Sequence, residues 1–231
     1  MKTLFCLPYA GGSSSIYYKW NKLMNDSLEL YPIELKGRGA RINEAFYEDI
    51  NEAVDDIYDL IKDKISEGEY ALFGHSMGGR LAYKLYYKIE QMRNKKPEHI
   101  FFSGCGVPSI KKKTGMIHTL PDDDFLKEIM RLGGTSEELL YNKELRDLYI
   151  PIIRNDFRIL EKNKEVKRSS KIDCDITVLS GDEDNTISPE AIRLWGDYTN
   201  GECKIIRFKG DHFFINHHGL EITEIIKKMV N

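Results

Sequence analysis

Short, continuous apolar runs alternate along this chain with longer amphipathic stretches of helical period, and that alternation restricts the fold more than any other feature. Six runs read as strands: Thr3–Pro8, Glu29–Glu34, Tyr70–Phe73, His99–Ser103, Asp175–Ser180 and Lys204–Phe208. Most are apolar at successive positions rather than at every second one, as in strands covered on both faces of a parallel sheet. Between them, Asp49–Ile65 places Ile50, Ala53, Val54, Ile57, Leu60, Ile61 and Ile65 on one stripe, with acidic residues opposite. Met77–Ile89 and Pro189–Tyr198 follow directly on strands, and Leu220–Val230 is the last helix. Parallel strands joined by helices require right-handed crossovers, so the expected architecture is a mostly parallel, doubly wound α/β sheet. Sheets of this kind carry their chemistry in loops at the carboxyl ends of the strands.

One connection breaks the rhythm. Roughly 65 residues separate the fourth strand from the fifth, where a connection of about 4–6 is usual. The segment, about 106–171, contains helical patterns at Asp122–Leu132 and Ser136–Lys162 with Gly133-Gly134 between them. It reads as a helical cap inserted into a single domain spanning 1–231; a pair of extra packing helices is the alternative. A chain of 231 residues, 41% apolar and 11% aromatic, can bury a sizeable core. Its net charge of −3 supplies no overall positive field for a phosphate backbone, so nucleic acid is not an expected partner.

No apolar run approaches the roughly 18 residues of a membrane span, so no membrane association is expected. Pro8 and the stretch Gly11–Ser15 interrupt the first apolar run too early for a signal-peptide core, which points to a cytoplasmic protein. Cys6, Cys105, Cys174 and Cys203 are widely spaced, with no C-x-x-C pair; each lies in or beside a strand-like run and reads as a small buried hydrophobe.

Gly74-His75-Ser76-Met77-Gly78 stands between the strand Tyr70–Phe73 and the helix that starts near Met77. G-x-S-x-G alone is a modest signal, but a nucleophile elbow requires this strand before it and this helix after it. The tight turn exposes the serine and needs glycine at its flanks, and the helix N-terminus aims free N–H groups at the site. Ser76 is therefore the candidate nucleophile. A serine needs a base, and in this fold class the chain order is Ser, then Asp or Glu, then His.

The strand Asp175–Ser180 runs into Gly181-Asp182-Glu183-Asp184, and Lys204–Phe208 runs into Lys209-Gly210-Asp211-His212. Asp184 is the expected acid, with Asp182 as the alternative, and His212 is the expected base. His75 reads as packing, His217-His218 as solvated or capping residues, and His99 and His118 lie outside any matching strand end. None of these histidines has metal-ligand spacing with suitable partners, so no metal is assigned. The backbone N–H groups of Met77 and of Ala10, in the loop Tyr9-Ala10-Gly11-Gly12, are the candidate oxyanion hole.

The segments Leu4–Ser13, Gly37-Arg38-Gly39-Ala40-Arg41, Ala71–Gly78 and Gly210–Phe214 resemble the type II thioesterases. These are the free-standing α/β-hydrolase thioesterases that accompany nonribosomal peptide and polyketide synthetases. Leu120-Pro121-Asp122 and Leu132-Gly133-Gly134 in the insertion are similar to that family too, whereas Leu7 stands where many members carry Phe. The resemblance maps the family's Ser, Asp and His onto Ser76, Asp184 and His212, and its oxyanion donors onto Ala10 and Met77.

It implies hydrolysis of acyl or aminoacyl thioesters from the phosphopantetheine arm of carrier-protein domains, with no dissociable cofactor; the protein is expected to be a monomer. A general carboxylesterase or lipase, and a non-catalytic carrier-binding protein, are the competing readings. Residues 106–171 hold fourteen Lys and Arg against eleven Asp and Glu, so this segment is basic in an acidic chain. Lys111-Lys112-Lys113 and the run Lys162–Lys171 are the candidate patches for steering an acidic carrier.

Overall fold

The computed structural model describes residues 1–24, 28–110, 115–134, 138–164 and 170–230. Each of the six apolar runs forms a strand: β1 Lys2–Leu7, β2 Leu28–Pro32, β3 Tyr70–His75, β4 His99–Ser103, β5 Asp175–Gly181 and β6 Cys203–Phe208. They make one sheet in the order β2-β1-β3-β4-β5-β6, and every neighbouring pair is parallel. The helices are α1 Ile50–Glu67, α2 Met77–Gln91, α3 Asp122–Leu132, α4 Glu138–Tyr141, α5 Lys143–Glu161, α6 Pro189–Arg193 and α7 Gly219–Val230.

The continuous apolar runs have a direct cause. Phe5 and Leu7 of β1, Leu72 of β3 and Phe102 of β4 enter a core on one face, with α1, α2 and Trp195. The alternate residues Leu4, Cys6, Phe73 and Phe101 enter a second core with Tyr17, Trp20 and α7. Side chains alternate across a strand, so a strand with a core on each face must be apolar at every position. The edge strand β6 meets this demand least, and its Ile205 is exposed.

Local signals fix the helix ends. The Asp49 carboxylate accepts the N–H groups of Asn51 and Glu52, capping α1. Ser188 caps α6, with Pro189 at its first turn. Three expectations need correction. Leu60 belongs to the apolar set of α1 by residue type but sits at the edge of the stripe and is 42% exposed. The helix expected over Pro189–Tyr198 is α-helical only to Arg193 and continues as a 3-10 turn over Leu194–Tyr198. The long helix expected over Ser136–Lys162 is broken at Asn142, whose side chain accepts the N–H of Leu145 and starts α5 anew.

The connection from β4 to β5 carries α3, α4 and α5, which bury Phe125, Leu126, Ile129, Leu139, Ile150 and Ile153 in a cluster of their own. Lys111, Lys112 and Lys113 lie outside the described residues, as do 165–169 of the second basic run. All four cysteines are free thiols, with Cys6 and Cys105 buried. Among the described residues no helix is long and apolar enough to cross a membrane.

The chain winds outward from β1 to β2, then returns past β1 to β3. A parallel sheet opens a crevice at such a reversal, beyond the carboxyl ends of its strands. Leu7 pairs with Gly74, so the loops leaving β1 and β3 emerge side by side there.

Candidate active site

Ser76 stands alone between the last residue of β3 and the first of α2, with φ 54° and ψ −109°. A non-glycine residue held there is strained, and the neighbouring structure must enforce the conformation. Its N–H donates to the carbonyl of Ser103 at the end of β4. Two glycines make the turn sterically possible. A Cβ on Gly74 would lie 2.1 Å from the Gly78 carbonyl oxygen, and one on Gly78 would lie 2.1 Å from that of Leu7. The second contact presses the N-terminus of α2 against the exit of β1. Gly78→Ala is therefore expected to cost about 3 kcal/mol, the upper end of overpacking, because backbone rather than a movable side chain is in the way. Urea unfolding of the variant against the parent measures it.

His212 reaches the same point from the loop after β6 and is 5% exposed. Its Nε2 lies 2.9 Å from Ser76 Oγ, and its Nδ1 lies 2.7 Å from Asp184 Oδ2. Asp184 follows β5, and its side chain is 1% exposed. Its Oδ1 accepts the N–H and the hydroxyl of Thr186 at 2.8 and 2.7 Å. Burial pushes the Asp184 carboxyl up, but the bonds from His212 and Thr186 outweigh it and hold the group below its ordinary value. It is thus an anion aimed at Nδ1, which leaves Nε2 to face the serine.

Asp182, the alternative acid, accepts the N–H of Gly210 and ties the β5 and β6 loops together. A Cβ on Gly181 would lie 2.3 Å from the carbonyl oxygen of Asp211, so those loops pass almost in contact. Ser76, His212 and Asp184 are thereby joined by consecutive hydrogen bonds, although they lie far apart in the chain. An imidazole between a serine hydroxyl and a buried carboxylate can take the hydroxyl proton as the oxygen attacks.

The other two expected residues lie on the loop after β1 and at the start of α2. Ala10 lies in a turn closed by the bond from the Gly12 N–H to the Tyr9 carbonyl, at 2.9 Å. Met77 begins α2 and is buried. Among the described residues, neither backbone N–H has an acceptor within the chain.

Four of the remaining histidines are otherwise engaged. His75 is buried, its Nδ1 is 2.9 Å from Ser103 Oγ, and burial drives its pKa well down, so it carries no charge near neutrality. His99 bonds Thr177 and is held at about 4 by burial. His118 pairs with Glu161, and His218 with Glu221 and the carbonyl of Lys209. No group of three or more His, Cys, Asp or Glu among the described residues is placed to hold a metal.

One neighbour of the site went unnoticed in the sequence. Thr186 forms a turn in which an Asp side chain accepts the N–H two residues on, and the D-x-T spacing after a strand was its signal. Phe213 packs edge-on to Tyr9 and to the His212 ring. A Cβ on Gly134, just beyond α3, would fall 2.2 Å from the Phe213 ring. A Cβ on Gly11 would fall 2.6 Å from Ile153 of α5, so the segment between β4 and β5 touches both loops of the site.

Comparison with known proteins places this geometry. Residues 2–230 match the family described as thioesterase domain. Gramicidin S biosynthesis protein GrsT of Aneurinibacillus migulanus is 32% identical over 227 residues, which cover 98% of this chain and 88% of that protein. The crystal structure of ClbQ, from the colibactin NRPS/PKS pathway, superposes with a TM-score of 0.94 at 36% identity, covering 99% of this chain and 96% of that one. The type II thioesterase BorB, from the borrelidin biosynthetic cluster, gives a TM-score of 0.89 at 30% identity, over 100% and 93% of the two chains. With a family match spanning almost every residue and an α/β-hydrolase sheet shared with these relatives from biosynthetic pathways, one of them named as a type II thioesterase, the chain belongs to the thioesterase family.

Proposed function

We propose that this protein hydrolyses acyl and aminoacyl thioesters carried on the phosphopantetheine arm of carrier-protein domains, and so frees mis-primed or stalled nonribosomal peptide and polyketide assembly lines. The observation that carries the reading is the bonded series Ser76–His212–Asp184 on a chain of the thioesterase family. Ser76 Oγ attacks the thioester carbonyl while His212 Nε2 accepts its proton, and Asp184 stabilises the resulting imidazolium. The tetrahedral oxyanion sits against the N–H groups of Ala10 and Met77. A thiol of ordinary pKa near 8.5 departs readily, so proton delivery by His212 matters less here than for an amine. Water then attacks the acyl-enzyme with His212 as base, the serine takes the proton back, and the free acid leaves.

No dissociable cofactor or metal takes part in this scheme. The helices between β4 and β5 act as the cap, the protein works as a monomer in the cytoplasm, and the acyl carrier is its macromolecular partner. Thiol release from several acyl-loaded carrier proteins, beside matched oxygen esters, tests the reading. Faster turnover of the thioesters is expected. Equal rates on oxygen esters would favour a general esterase, and carrier binding without turnover a non-catalytic binder.

A further inference from the structure

The loop that carries Ala10 is fastened from behind by a buried ion pair. Tyr9–Gly12 forms a four-residue turn in which Gly11 has φ +79°, the geometry of a type II turn with glycine at its third position. The peptide between Ala10 and Gly11 turns its N–H towards α5. There the Gly11 N–H donates to Asp156 Oδ2 at 2.7 Å. The same carboxylate takes two bonds from the Arg38 guanidinium, each 2.6 Å, and Arg38 also donates to the Gly12 carbonyl at 3.2 Å. Side-chain exposure is 3% for Arg38 and 0% for Asp156. Ile153, one turn before Asp156 on α5, packs directly on Gly11.

We propose that Asp156, held by Arg38, is a positioning residue for the oxyanion hole: its carboxylate locks the Tyr9–Gly12 turn so that the Ala10 N–H faces the nascent oxyanion. The inference rests on the assignment of Ala10 as an oxyanion donor. Three observations support it.

The first is energetic. A buried ion pair rarely stabilises a fold more than apolar side chains of similar size, so stability alone is a poor reason to build one here. The second is geometric. The carboxylate holds the Gly11 N–H directly and the Gly12 carbonyl through Arg38, so the backbone that follows Ala10 is pinned to α5 on both sides of Gly11. The third is the required tolerance. An oxyanion donor works at about 2.7–3.1 Å from the developing charge, and a misplacement of about 1 Å can cost on the order of 100-fold. Because Asp156 belongs to α5, the insertion also completes the hole from behind.

The test uses double variants, since Asp156→Ala alone would strand a buried guanidinium and risk unfolding. Arg38→Met/Asp156→Leu replaces the pair by apolar groups and removes the acceptor for Gly11. Arg38→Gln/Asp156→Asn also removes both charges but keeps an acceptor oxygen at the same place. The apolar pair is expected to fold with a Tm near the parent's, to keep KM within about twofold, and to lose about 10- to 100-fold in kcat. Its affinity for an alkyl trifluoromethyl ketone, whose adduct with Ser76 carries the oxyanion, should fall in proportion. The amide pair should recover most of both losses. Should the apolar pair fail to fold, Arg38→Gln/Asp156→Leu makes the same comparison with the amide pair.

Equal kcat in the apolar and amide pairs would overturn the proposal, as would a kcat loss with ketone affinity unchanged. Ala10→Pro separates this inference from the assignment beneath it. Proline suits the second position of a type II turn yet has no N–H, so it deletes the donor and keeps the turn. If Ala10→Pro costs about 100-fold or more while the apolar pair costs nothing, the positioning role fails and the donor stands. If Ala10→Pro is silent, the donor assignment itself is wrong.

Discussion

Ser76→Ala is expected to lower kcat for acyl-carrier hydrolysis by about 10⁴- to 10⁶-fold while leaving carrier affinity and unfolding free energy close to the parent's. The side chain contributes one described bond, from Oγ to His212 Nε2, and no packing that alanine would not reproduce. Both residues carry the same Cβ, so the strain at φ 54° is retained and stability changes little. Without Oγ no acyl-enzyme can form, and what remains is slow attack by water assisted by His212 and the oxyanion donors. Single-turnover thiol release, with calorimetric titration of the loaded carrier into the variant, separates chemistry from binding. Turnover surviving at more than a hundredth of the parental rate would place the nucleophile elsewhere.

A loss of about 10⁴-fold in kcat is the expected result of Asp184→Asn, against less than about threefold for Asp182→Asn. The asparagine keeps the volume of the carboxylate and an acceptor for the Thr186 N–H. It removes the charge that opposes the imidazolium, and its NH₂ group can settle against Nδ1 with the ring turned to the wrong tautomer, so that Nε2 presents a proton to the serine instead of a lone pair. Among the described residues the Asp182 side chain accepts the Gly210 N–H, a bond that an amide oxygen also accepts, so its substitution should appear, if anywhere, in the melting temperature. Steady-state kinetics on one acyl-carrier substrate, with thermal unfolding of both variants, measures the contrast. Comparable losses in kcat at the two positions would mean that the acid is shared or misassigned.

Much of this architecture was legible before any coordinates because its causes are local in the chain. Leu4-Phe5-Cys6-Leu7 announces a doubly covered strand, since no solvent-facing strand tolerates four apolar residues in succession. The elbow was legible for a similar reason: Gly74 and Gly78 are demanded by backbone contacts made within the turn itself. What could not be read depends on contacts between distant segments. Nothing near Asp156 marks it apart from the other acidic residues of its helix; its meaning comes from Arg38 and Gly11, 118 and 145 residues away. Thr186 gains its part only once His212 arrives beside it. Leu60 is apolar by type, yet the core stops one helical position short of it. Apolar periodicity gives the direction of a stripe well and its width poorly.

β4 and β5 hydrogen-bond as neighbours from His99↔Asp175 to Ser103↔Leu179, although three helices separate them in the chain. Pairing of that kind is indifferent to the length of the excursion, for doubling a loop adds only about 0.6 kcal/mol to its closure. The excursion is thus free to change length at little energetic cost, provided that α5 still brings Asp156 to the backbone of Gly11.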